Sequence, residues 1–188
     1  MDIMIDDLQG SGVVELLQAH LADMYATSPP ESVHALDIEA LKHPSITFWC
    51  AKQGDIVLGC VAIKQLTPTH GEIKSMRTAA TARNQGVAST LLLHILDVAK
   101  SRGYQRLSLE TGSMDFFASA RRLYERHQFD YCGPFSDYEL DPNSLFMTRL
   151  IEREALKRAT KQKADIGLIL TKPNTIPMFV RCDIELPV

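Results

Sequence analysis

The sequence predicts an α+β fold, a mixed and mostly antiparallel twisted sheet flanked by helices. Three features point there. Runs rich in β-branched and aromatic residues follow one another across short turns between residues 45 and 78. The stretch 87–102 carries apolar residues at helical spacing. Strand-like and helix-like segments then alternate as far as residue 151.

The elements can be justified in order. "DIMI" reads as a short first strand. "GVVELLQAHLADMY" places Val14, Leu17, Leu21 and Met24 close to helical spacing. "TSPPES" ends that helix, because two prolines cannot continue it. "DIEALKH" reads as a short second helix opened by Asp37. "SITFWCA" and "IVLGCVAIKQL" form a hairpin about "KQGD", and "TPTHG" turns the chain into a third meander strand, "EIKSMRT". In the helix 87–102, Val87, Leu91, Ile95 and Val98 make one stripe, Leu92 and Ala99 widen it, and Gly103 supplies the stop. "QRLSLET" is a further strand. "DFFASARRLYERH" is a helix with Phe116, Ala120, Leu123 and His127 along one side, and "FDYC" and "SLFMTRLI" are the last strands of the core. Residues 152–188 differ: a polar, helix-prone stretch precedes a second hairpin, in which Met178, Val180, Cys182, Ile184 and Leu186 alternate with polar or outward residues. This gives a domain over 1–151 and an extension over 152–188, a candidate dimerisation element.

Composition narrows the function. With 188 residues, 45% apolar and 23% charged, the chain suits one soluble domain with an appendage. A net charge of −3 gives no general attraction to nucleic acid or anionic membrane. No apolar run approaches the roughly 18 residues that span a bilayer. The acidic start "MDIMIDDLQG" lacks a signal-peptide pattern. Cys50, Cys60, Cys132 and Cys182 form no C-x-x-C pair, so no metal site is expected and free thiols in the cytoplasm are the simplest reading. Cys50 and Cys60 flank the hairpin turn and are placed to face each other.

The most informative stretch is "RTAATARNQGVAST", between a strand and an apolar helix. A strand-to-helix turn exposes the helix's first amides at the positive end of its dipole, a natural phosphate site. Gly86 and small Ala88 let an anion approach the backbone, and Arg83 adds a permanent charge. The Gly-Lys-Ser/Thr of a Walker loop and the G-x-G-x-x-G of a dinucleotide fold are both absent. Arg83, Gly86 and Ala88 instead stand in the order Arg-x-x-Gly-x-Ala, which resembles the signature of the GNAT superfamily of acyl-CoA N-acyltransferases. "ASARRLYERHQF" resembles that family's later segment, with Ala120, Leu123, Tyr124 and Phe129 matching, Gln128 in place of the usual glycine and Phe117 where an asparagine is common. "ADMYATSPPESVHALD", "SLETGSMDFF" and "DPNSLFMT" resemble a small bacterial subgroup labelled indole-acetate acetyltransferase.

The resemblance implies acetyl-CoA as co-substrate, with its pyrophosphate on the amides of the loop Arg83, Asn84, Gln85, Gly86, Val87, Ala88 and Ser89. It also implies a splayed, bulged strand whose backbone at Met76, Arg77 and Thr78 pairs with the cofactor's amide arm. Acetyl transfer to an amine further needs a base, oxyanion donors and a proton for the departing thiolate. Glu72 at the start of that strand is the first candidate base and Glu110 the second. Tyr124, which the resemblance sets near the cofactor sulfur, is the candidate acid. The loop 25–34 borders the acceptor pocket in this architecture, making Ser28, Glu31 and His34 candidate substrate contacts. The expected function is N-acetylation of a small-molecule amine or amino acid. A protein N-terminus or lysine as acceptor, and a non-catalytic acyl-CoA sensor, stand as alternatives; the length of loop 25–37 argues for a closed pocket and Tyr124 for an enzyme.

Overall fold

A computed structural model describes residues 1–151. The expectations for 152–188, a helix, a hairpin and a role in dimerisation, lie outside the described residues.

The described chain opens with β1 (Asp2–Ile5) and helix α1 (Ser11–Thr27), then the short helix α2 (Ile38–Leu41). The Asp37 carboxylate caps α2 by accepting from the Ala40 amide at 2.7 Å. The meander follows as β2 (Ile46–Gln53), β3 (Ile56–Thr67) and β4 (His70–Thr78). Next come α3 (Val87–Ser101), β5 (Arg106–Gly112), α4 (Ala118–Arg126), β6 (Asp130–Cys132) and β7 (Ser144–Leu150). These strands form a seven-stranded sheet in the order β1-β2-β3-β4-β5-β7-β6. Every neighbouring pair is antiparallel except β4 and β5.

Period-two alternation divides the sheet between two apolar layers. Trp49, Ala51, Val61 and Ile63 join Leu91, Leu92, Ile95 and Ala99 of α3 on one face. Phe48, Cys50, Cys60 and Ala62 join Val13, Leu16 and Leu17 of α1 and Leu41 of α2 on the other. Helix α3 seats closely on β3 at Gly59, where a Cβ would lie 2.7 Å from the Arg77 carbonyl and about as close to Leu91 and Val87. Cys50 and Cys60 are direct cross-strand partners, buried and unbonded as thiols.

One face was misjudged from the pattern. Phe116 is 49% exposed, whereas Phe117, Leu123 and Tyr124 are buried. The segment begins as a 3-10 turn, Asp115–Phe117, before α4 proper, and that tighter turn shifts the phase of the apolar stripe. At the far end of α4, Gln128 has φ 62°, which accounts for the glycine usual at this position.

Candidate active site

The single parallel pairing builds the site. Strands β4 and β5 are laddered only at His70–Arg106, Gly71–Leu107 and Glu72–Ser108. Beyond Glu72 they diverge, and β4 from Ile73 to Thr78 has no ladder partner on that side. Divergence coincides with a bulge. Ala62 lies opposite Lys74 but Cys60 lies opposite Arg77, so β4 carries one extra residue, and Ser75 has φ 50°.

A cleft of about 650 Å³ fills the opening. One wall is β4, with Met76, Arg77 and Thr78; the opposite wall is β5, with Glu110 and Thr111. The N-terminal turn of α3 closes one end. There Arg83, Asn84, Gly86, Val87, Ala88 and Ser89 line the cleft, and Arg122 and Arg126 of α4 are among its other lining residues. Gly86 is the N-cap residue of α3 at φ 80°, and no side chain caps the helix. A left-handed backbone is the first reason for glycine here, since any Cβ would be strained whatever space surrounds it. Open amides, the helix dipole and three guanidinium groups can hold a polyphosphate ester.

Other sequence-named residues are placed as follows. Ser28 and His34 line the cleft from the α1–α2 loop. Gln85 turns back, its side-chain amide donating to the Thr81 carbonyl at 2.9 Å. Arg77 lines the cleft, but its guanidinium pairs with Asp23 of α1 at 2.5 Å. Glu31 and Glu72 border a second cavity of about 670 Å³ between the α1–α2 and β6–β7 loops. Glu72 is 2% exposed, and its Oε1 is engaged twice: Lys74 Nζ lies 3.2 Å away, and the Tyr138 hydroxyl donates to it at 2.6 Å.

Lys74 joins three segments. Its ammonium donates to Tyr138 Oη at 2.7 Å and to the His34 carbonyl at 3.1 Å, besides pairing with Glu72. Asn143 adds a second tie, its side-chain amide donating to Ser32 Oγ at 3.2 Å. Both loops are thereby fixed over the open side of the sheet. None of Lys74, Tyr138 or Asn143 stood out in the sequence, because contacts across 40 to 111 residues leave no local pattern. Arg122 and Arg126, spaced i,i+4 on α4, did carry a readable signal.

Three groups in the cleft have perturbed acidity. Burial raises the Glu110 carboxyl above the usual carboxylate range, and a hydrogen bond from Ser144 at 2.8 Å works the other way. Burial, and then the nearby Glu110, push the Tyr124 phenol well above 10. Tyr124 is 7% exposed, and its hydroxyl donates to Met76 Sδ at 3.4 Å. His20, on α1 and also lining the cleft, is held neutral by burial and Arg77, with its pKa pushed down to about 4.

The model of the Acetyltransferase (GNAT) family matches residues 13–129, which includes β4, the loop, α3 and α4. The chain belongs to the GNAT acetyltransferase family. It is 57% identical over 149 residues to the uncharacterized N-acetyltransferase YsnE of Bacillus subtilis, covering 79% of this chain and 99% of that protein. It is 39% identical over 138 residues to an IAA acetyltransferase of Azospirillum brasilense, covering 73% and 87%. Among solved structures, a GNAT acetyltransferase of Staphylococcus aureus superposes with a TM-score of 0.64 at 18% identity, covering 80% of this chain and 99% of that one. An aminoglycoside 6'-N-acetyltransferase complexed with coenzyme A superposes at 0.62 with 14% identity, covering 82% and 99%. The GNAT fold is thus shared well beyond detectable sequence likeness, and the protein is an acetyltransferase. No helix among the described residues is long and apolar enough to cross a membrane.

Proposed function

We propose that this GNAT enzyme transfers the acetyl group of acetyl-CoA to the amine of a small molecule, by direct attack on the thioester. The observation that carries the acceptor class is the tie between the two loops over the open side of the sheet. Lys74 and the Asn143–Ser32 bond wall that side into a pocket, whereas a polypeptide acceptor needs a groove open at both ends. A relative named for IAA supports an acceptor of that size.

In this reading the amides of α3 with Arg83, Arg122 and Arg126 hold the pyrophosphate, and the unpaired edge of β4 at Met76 and Thr78 aligns the amide arm. Acetyl-CoA supplies the activated acyl group. Glu110 takes the proton of the attacking amine, since it lines the cleft and burial raises its pKa, which makes it a stronger base than an exposed carboxylate. Tyr124 stays protonated and serves the departing thiolate. Ser28 and His34 contact the acceptor, and Glu31 borders its entry. We place the enzyme in the cytoplasm, a reducing compartment that suits the buried cross-strand thiols of Cys50 and Cys60.

Acetyl-CoA titrated against amino acids, polyamines, amino sugars, aromatic amines and peptides, with free thiol as readout, tests this. Saturable thiol release with one small-amine class is expected. Turnover confined to peptides would overturn the small-molecule reading.

A further inference from the structure

Ser75 combines two unfavourable features in one residue. Among the described residues it alone has both a left-handed backbone, φ 50°, and a buried side-chain oxygen with no hydrogen-bond partner. The residue is 8% exposed and lines the cleft. Its carbonyl is engaged, accepting from Cys60 Sγ at 3.3 Å, while the buried hydroxyl has no partner. A buried hydroxyl without a partner opposes folding, and so does a non-glycine residue at positive φ. Alanine would remove the unmatched atom and leave almost the same volume. Folding therefore does not ask for serine, and the demand comes from a group that enters the cleft.

Position identifies that group. The polyphosphate site in this reading is the N-terminal turn of α3, whereas Ser75 stands on β4 beside the point where β4 and β5 part. Ser75 lies on β4 just past its last pair with β5, Glu72–Ser108, and shares the cleft with Glu110 and Thr111 of β5. The next residue is Met76, whose sulfur receives the Tyr124 hydroxyl. Ser75 thus shares the cleft with Glu110, which takes the amine proton, and adjoins on β4 the residue that meets Tyr124, which serves the thiolate.

We propose that Ser75 Oγ–H is a catalytic hydrogen-bond donor to the thioester carbonyl oxygen as that oxygen becomes negative. The amine lone pair forms the C–N bond while the carbonyl π pair moves onto oxygen, where Ser75 meets it. Glu110 accepts the proton released by nitrogen. When the C=O bond re-forms, the C–S bond breaks with its pair on sulfur, and Tyr124 supplies the proton. Ser75 keeps its own proton throughout. The proposal rests on the cleft assignment above, and adds a side-chain donor to it.

Ser75→Ala and Ser75→Gly, measured for melting temperature, CoA affinity, amine turnover and amine-free hydrolysis of acetyl-CoA, test it. Hydrolysis develops the same oxyanion without needing the acceptor. The expected result is a melting temperature at or above wild type, CoA affinity within about twofold, and kcat lowered about 10²-fold for both reactions, the scale of one lost oxyanion donor. Wild-type kcat in Ser75→Ala overturns the proposal. So does a loss confined to KM for the amine, which would make the hydroxyl an acceptor contact, and so does a lowered melting temperature, which would make it structural. Failure of the small-amine reading shows separately: no panel amine would raise thiol release above the hydrolytic rate, while hydrolysis still decides Ser75.

Discussion

Tyr124→Phe separates catalysis from packing more cleanly than any other change at this site. The ring sits in the core, edge-on to Phe129 with centroids 5.7 Å apart, and phenylalanine keeps that contact. Only the hydroxyl is lost. Its partner is Met76 Sδ at 3.4 Å, a weak acceptor that carries little penalty when left unpaired. A typical net hydrogen bond contributes about 1 kcal/mol, so this one contributes about 0.5 kcal/mol or less. For a chain of this size that is about 1–2 °C in Tm. Loss of a proton donor to the leaving thiolate lowers kcat about 10²-fold, equivalent to about 2.7 kcal/mol in the barrier. The kinetic effect therefore exceeds the structural one several-fold. Stopped thiol-release kinetics, acetyl-CoA calorimetry and a thermal melt on one preparation measure all three. The sign with pH is also fixed. The folded phenol has its pKa raised above the unfolded value near 10, so the native state holds the proton longer, and stability falls as pH rises beyond about 10. Tyr124→Phe removes the Tyr124 share of that decline and leaves the shares of Tyr138, Cys50 and Cys60. Normal kcat in the folded variant would leave the thiolate to the backbone or water and refute the reasoning.

Three further outcomes follow from the geometry. Glu110→Gln should lower kcat at least 10²-fold. Because burial raises the folded carboxyl's pKa, wild type loses stability as pH rises out of the carboxylate range, so the variant should melt higher at pH 7 and the gap should close below about pH 4. Gly86→Val should weaken CoA binding far more than Arg83→Ala by calorimetry, with Gly86→Asn, tolerant of positive φ, in between; equal losses for Val and Ala would give the holding to the guanidinium rather than the loop. Lys74→Met leaves Glu72 buried beside one hydroxyl and should cost about 3–5 kcal/mol, about 10 °C in a thermal melt; Lys74→Met with Glu72→Leu should recover most of it, and an unchanged Tm in the single variant would mean the pair is solvated.

Much of this fold was legible because it is written locally. The hairpins announced themselves by β-branched runs and by "KQGD", and α3 by its stripe, whereas Cys50 meets Cys60 only because a bulge between Ala51 and Lys52 shifts the count from the turn by one. The loop at 83–89 was legible because its chemistry requires particular residues. What escaped has a common cause. The bulge in "EIKSMRT" occurs at Ser75 with no glycine to mark it, because the strain there is carried by tertiary contacts. The phase slip before α4 depends on a 3-10 turn that an apolar count cannot distinguish from helix. The ties of Lys74 to His34 and Tyr138 depend on loops folding over from distant positions.

The roles of the two glutamates follow from the same geometry. Both sit on strands that line the opening, and from residue type alone the one beginning β4 looks the better base. Glu72 is, however, the last β4 residue paired with β5. At that point the sheet must stop pairing, and something has to fix where divergence begins. A buried ion pair seldom gives much net stability, but it defines one arrangement sharply, since any other leaves a charge unmatched. Glu72, Lys74 and the Tyr138 hydroxyl form such a node beside the final β4–β5 pair, and through the His34 carbonyl and Tyr138 the node reaches both covering loops. We therefore read Glu72 as the group that holds the opening and Glu110, two residues past the last paired position of β5, as the group that works inside it. The Glu72 carboxylate is committed to an ammonium and a phenol, whereas Glu110 is buried with a single hydroxyl donor, faces the cleft and has its pKa raised by that burial, which makes it the better placed base.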